Sequence, residues 1–155
     1  MKTDTTRRAL LLAAAALPLA GLAQAPAKVL VEVWKDPSCG CCHDWVKHLQ
    51  DSGFAVKVND TGNNAMRAKL GIPAKLGSCH TALVGGYAVE GHVPAQDIRR
   101  LLKEKPRALG LTVPGMVVGS PGMDGPAYNG RRDPYDVLLV GKDGESRVYA
   151  SYNKS

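Results

Sequence analysis

Val29-Leu-Val-Glu-Val-Trp-Lys-Asp-Pro-Ser-Cys39-Gly-Cys-Cys42-His-Asp-Trp-Val-Lys-His-Leu49 carries three of the chain's four cysteines within four residues. Val29 to Trp34 is short, apolar and β-branched, and it runs into the turn residues Asp36-Pro37-Ser38, so it reads as a buried strand. Ser38 is the expected N-cap of a following helix, which places the cysteine cluster in the helix's first turn. Cys42, Trp45, Val46 and Leu49 then recur at i, i+3, i+4 and i+7, the spacing of an apolar stripe turned to a core. Gly53 ends the helix. Thiolates are the soft ligands that select Cu(I), and paired thiols store two electrons.

Outward from this segment the pattern continues. Phe54 to Val58 alternates apolar and polar and predicts a second strand, parallel to the first through a βαβ crossover. Asn63 to Leu70 reads as a short helix stopped by Gly71 and Pro73. Thr81–Val84 and Tyr87–Glu90 flank Gly85-Gly86, a hairpin signal. Pro94 opens another helix, with Ile98, Leu101 and Leu102 on one face and Arg99, Arg100 and Lys103 outside. Strand, helix, strand, helix, hairpin, helix is the thioredoxin order. The expected class is therefore α/β: a thioredoxin-like sheet with flanking helices, extended at the C-terminus by a loop and a β-hairpin. The loop holds Pro114-Gly115-Met116 and Pro121-Gly122-Met123, two identical triplets, and the hairpin pairs Tyr135–Val140 with Arg147–Tyr152 around Lys142-Asp143-Gly144.

The N-terminus reads as an export signal over residues 1–25. Lys2, Arg7 and Arg8 form a basic region, and Ala9 to Leu22 is apolar but short of the ~18 residues of a membrane span. Ala23-Gln24-Ala25 offers a cleavage site, and the Arg7-Arg8 pair leaves the Sec and twin-arginine routes both open. Residues 28–155 then form one domain, expected in the periplasm, where oxidised thiols persist. With only one phenylalanine in the chain, its core must be mainly aliphatic. The full chain carries a net charge of +6, and the leader contributes Lys2, Arg7 and Arg8 against Asp4. The charge that remains is small and scattered, which argues against a nucleic-acid partner. No segment after the leader reads as a membrane span.

Cys39 and Cys42 form a C-x-x-C pair at a helix N-terminus, where the dipole and free N–H groups favour thiolate, and are the expected reactive pair. A full set of disulfides most naturally joins Cys39 to Cys42 and Cys41 to Cys79, because a bridge between neighbours strains the intervening peptide. In a thioredoxin-like fold the residue just before the hairpin's first strand faces the cysteine turn. Here that is Cys79-His80, so four sulfurs and one imidazole can converge. Zinc is the standard alternative for four cysteines, but its structural sites use two separated C-x₂-C knuckles. An iron–sulfur cluster or a purely structural disulfide set are further alternatives. His43 shares a helix face with Cys39 and reads equally as ligand or exposed residue. His48 reads as solvated, His80 as a site neighbour and His92 as a helix cap. Met116 and Met123 are soft thioether candidates on rigid turns, or packing residues.

Cys39-Gly-Cys-Cys42 with Trp45, Ser78-Cys-His-Thr-Ala82, Gly91-His-Val-Pro94 and Pro114-Gly-Met…Gly-Ser-Pro-Gly-Met123 together resemble the CopG-like periplasmic proteins of copper resistance. The resemblance spans about Val29 to Val140. It implies a thioredoxin-like fold, copper bound through Cys39, Cys41, Cys42 and Cys79 with His80 and His92 as neighbours, and a role interconverting Cu(I) and Cu(II). Copper ions, one or several, are the implied cofactor, and other periplasmic copper-handling proteins are candidate partners. Two alternatives stay open: a copper buffer or chaperone without turnover, and a thiol–disulfide oxidoreductase acting on proteins.

Overall fold

The computed structural model describes residues 27–154; the expected signal segment lies outside them. Strand β1 (Leu30–Lys35) leads into helix α1 (Gly40–Asp51), strand β2 (Ala55–Asn59) and helix α2 (Asn64–Lys69). The hairpin β3 (His80–Val84) and β4 (Tyr87–Glu90) follows, then helix α3 (Ala95–Glu104), strand β5 (Gly110–Thr112) and the hairpin β6 (Tyr135–Val140) and β7 (Ser146–Tyr152). The sheet runs β2-β1-β3-β4-β5-β6-β7. β1 and β2 are parallel, and β3 runs antiparallel to both β1 and β4. The first four strands with α1 and α3 are the expected thioredoxin-like unit.

The C-terminal hairpin is joined to this unit by β5, a strand that the sequence pattern hides. β5 pairs parallel with β4 and antiparallel with β6, so the extension lengthens one continuous sheet. Gly110 makes that seam possible: a Cβ there would lie 1.7 Å from the carbonyl oxygen of Ala88. Residue type also decides the two sides of the sheet. Successive strand side chains point to opposite faces. Val89 and Leu139 accordingly join a core with Trp45, Leu49, Ile98 and Leu101, while Ala88 and Val140 join a smaller one with Ile72 and Leu76. All four residues of the expected α1 stripe are buried.

One detail differs from expectation. Cys39, not Ser38, is the N-cap of α1, and it makes no side-chain cap bond. Ser38 is occupied otherwise: its N–H and hydroxyl both donate to Asp36 Oδ1, closing the turn before the helix. Among the described residues no helix is long and apolar enough to cross a membrane.

Candidate metal centre

The end of β1 and the start of α1 present Cys39, Cys41 and Cys42 together. Cys39 and Cys42 form a disulfide, while Cys41 and Cys79 are free thiols. Cys41 Sγ lies 3.6 Å from Cys39 Sγ. Cys79 arrives from the segment just before β3, as the topology requires. Its Sγ is 3.9 Å from Cys41 Sγ, 3.4 Å from His80 Nδ1 and 3.2 Å from His92 Nε2. Two donor groups result, one of Cys39, Cys41, Cys42 and Cys79 and one of Cys79, His80 and His92, each with its ligand atoms within 4.8 Å of one another. Cys79 belongs to both.

The tautomer of His92 follows from its neighbours. His92 Nδ1 lies 2.9 Å from the Pro121 carbonyl oxygen, which can only accept a hydrogen bond, so this nitrogen carries the proton. Its Nε2 lone pair therefore faces Cys79. A histidine whose second nitrogen is held by a backbone carbonyl is the arrangement that orients imidazoles toward metals. His80 is fully buried, and among the described residues its Nε2 has no hydrogen-bond partner. Its ring lies against Trp45, with centroids 4.2 Å apart, and meets His92 edge-on at 5.0 Å. Trp45 is held in turn by its Nε1–H, which donates to Val93 O at 2.9 Å.

Burial sets the charge of this pocket. It pushes the Cys79 thiol up to about 12, with the neighbouring Cys41 adding to the rise. Burial holds His80 well below the ordinary histidine range, reinforced by His92, and it also lowers His92 against the pull of the Pro121 carbonyl. At neutral pH the pocket thus offers two neutral imidazoles and a protonated thiol, and a soft cation entering it must displace the Cys79 proton.

The same burial predicts acid sensitivity. A histidine depressed in the fold contributes stability above its unfolded value near 6.5, and that stability is lost as pH falls toward the folded value. His80, His92 and His48 are all depressed, with burial the first cause in each. The melting temperature of metal-free protein should fall as the pH is taken from 7 to 5, because the unfolded chain takes up protons that these buried rings refuse. Calorimetry across that range checks it; a flat profile would place these rings in water.

A strap formed by residues 114–124 crosses the site. Gly115 N–H donates to Gly77 O at 3.0 Å, and Ser78 Oγ–H donates to Gly115 O. At the strap's other end Pro121 holds His92, and Gly122, at φ +84°, leaves no room for a side chain against Cys41 O and Trp45 N of α1. Met116 is exposed on this strap (59%) and Met123 is buried (8%). His43 is exposed. His48, read as solvated, instead accepts at Nε2 from Ala95 N–H at the start of α3, and His92 is not a cap but lies fully buried beside Cys79, among the neighbours that the resemblance implied. Tyr128, not singled out in the sequence, lies within electrostatic reach of Cys41 and Cys79, though burial is the main cause of its raised pKa. A buried polar group behind Cys79, built on Glu90 and Arg67, was also not foreseen.

Two solved structures share this architecture. One, described as copper resistance protein CopG form 2, is 42% identical, with a TM-score of 0.74 over 81% of this chain and 99% of its own. The other, form 1 of the same protein, is also 42% identical, with a TM-score of 0.76 over 83% of this chain and all of its own. The chain belongs to the CopG family. A family profile described as protein of unknown function DUF411 matches residues 76–123, a span that holds Cys79, His80, His92 and the strap but not the cysteines of α1. Comparison with curated proteins gives no match. CopG-family membership and the cysteine cluster together make this pocket a metal-binding candidate.

Proposed function

We propose that this CopG-family chain binds copper in the pocket shared by Cys39, Cys41, Cys42, Cys79, His80 and His92, and interconverts Cu(I) and Cu(II) in the periplasm. The observation that carries the reading is the position of Cys79, 3.9 Å from a thiol and 3.2 Å from an imidazole lone pair. Thiolates favour Cu(I), imidazole accommodates Cu(II), and one sulfur borders both environments. Electron bookkeeping is simple. The Cys39–Cys42 couple moves two electrons and two protons, and each copper ion moves one electron, so one cycle of the pair balances two ions. Met116, exposed at one end of the strap, supplies a thioether for capture of Cu(I), and Met123, buried near the other end, supplies a second on the inner side. The leader-like residues 1–25 and the cysteine content support export.

Metal analysis with X-ray absorption on protein isolated from copper-fed cells tests the binding. Sulfur and nitrogen in the copper coordination sphere are expected; zinc, or oxygen ligands alone, would overturn it. Stopped-flow spectroscopy with excess Cu(II) and a reductant tests the conversion. Multiple turnovers are expected, whereas one stoichiometric reaction makes the protein a copper store.

The two free thiols give a further expectation. Treating copper-free protein with a two-electron thiol oxidant should join Cys41 to Cys79, adding a second disulfide to Cys39–Cys42. Peptide mapping without reduction checks this. Recovery of Cys79 as a free thiol after exhaustive oxidation would exclude the pairing.

A further inference from the structure

Ser78, the residue before Cys79, lies between a 3-10 turn and β3, where no sheet ladder orders its peptide groups. Its backbone is nevertheless fully engaged, by side chains from three places. Ser78 N–H donates to Glu90 Oε1 at 2.6 Å. Its carbonyl accepts from Arg67 Nη2 at 2.5 Å and from Asn63 Nδ2 at 3.2 Å. Arg67 Nε also donates to Glu90 Oε1, at 2.7 Å, and the Thr81 hydroxyl donates to Glu90 Oε2 at 2.5 Å. Arg67 therefore grips the carboxylate and the Ser78 carbonyl with two arms of one guanidinium.

This construction is costly. Glu90 is fully buried and the Arg67 side chain is 15% exposed. Desolvating such a pair consumes most of its Coulombic attraction, and apolar residues of similar volume commonly serve stability as well or better. Stability alone does not account for it, whereas orientation does. Three of these bonds end on the peptide groups of Ser78, the others brace the side chains that make them, and Cys79 is the residue common to both donor groups. Asn63 points the same way. It sits at the N-cap of α2, yet its side chain makes no cap bond and is spent on Ser78 O and Thr81 Oγ1.

We propose that Arg67, Glu90 and Asn63 are positioning residues: a clamp on Ser78 that holds the Cys79 sulfur between Cys41 and His92. Its link to copper rests on the function proposed above; the clamp itself does not.

The test is site-resolved alkylation of the full chain in the form with Cys39–Cys42 oxidised, followed by mass spectrometry, on wild type, Arg67→Met and Asn63→Ala. Folding is verified by far-UV circular dichroism. In Arg67→Met the labelling rate of Cys79 should rise about tenfold, and in Asn63→Ala about threefold, while Cys41 changes less than twofold. Should Arg67→Met fail to fold, Asn63→Ala decides alone, because that change removes no helix cap. An unchanged Cys79 rate, or an equal rise at Cys41 and Cys79, overturns the clamp. A second measurement uses reduced protein and competition with a chromophoric Cu(I) chelator, where Arg67→Met should weaken copper retention about tenfold. A selective rise in Cys79 labelling with unchanged copper retention supports the clamp and counts against the copper site.

Discussion

Cys79→Ser is expected to remove most of the copper held by anaerobically reduced protein. No other residue has its ligand atom in both donor groups, so one substitution breaks the sulfur quartet and the Cys79–His80–His92 group together. Serine is a fair match in size but offers a hard hydroxyl where a soft thiolate is needed. The loss in affinity should exceed the ten- to hundredfold typical of outer-shell changes, reaching about a hundredfold or more. His92→Ala leaves the sulfur quartet intact and should retain part of the metal. Cys39→Ser should also cut stoichiometry sharply, because it removes a donor of the quartet. Metal-to-protein ratios after desalting give the answer. Wild-type ratios in both Cys39→Ser and Cys79→Ser would end the case for a shared site.

Trp45→Ala should have the largest effect on stability. The indole is fully buried in the main core, its N–H is bonded to Val93 O, and its face supports His80. Emptying such a position costs about 3–5 kcal/mol, the sum of lost burial and the cavity left behind. For a domain of this size that corresponds to a fall of about 10–20 °C in melting temperature. Trp45→Phe separates the contributions. It keeps most of the apolar volume but leaves Val93 O without its donor, at a cost of about 1–3 kcal/mol. Calorimetry of the metal-free variants measures both. A Trp45→Ala protein that melts within a few degrees of wild type would show that the helix does not anchor this core.

Much of this was legible because it is periodic or local. The α1 stripe, the Gly85-Gly86 hairpin and the final hairpin all announce themselves within a dozen residues. The meeting of Cys79 with the α1 cysteines was legible through topology, since a thioredoxin-like order leaves the segment before β3 facing the first helix. What escaped is non-local. β5 spans only three residues, and its glycine looks like a break although it permits close pairing with Ala88. Glu90 ends an alternating strand and nothing nearby marks it as buried; its partner Arg67 lies 23 positions away. His48 and His92 carry similar local signals. Which one caps α3 and which one meets a thiol depends on where α1 and the strap come to rest.

The strap and the clamp together have a consequence for what can visit this pocket. An extended polypeptide guest docks by aligning its backbone on an unclaimed row of N–H and C=O groups. At Gly77 and Ser78 that row is occupied. The Gly77 carbonyl is taken by Gly115, its N–H by Ala74, and both peptide groups of Ser78 by side chains. A protein cysteine seeking exchange finds no backbone berth at these two residues, whereas a bare ion needs none. An approaching peptide would have to dislodge the strap or the clamp before its backbone could lie down beside Cys79.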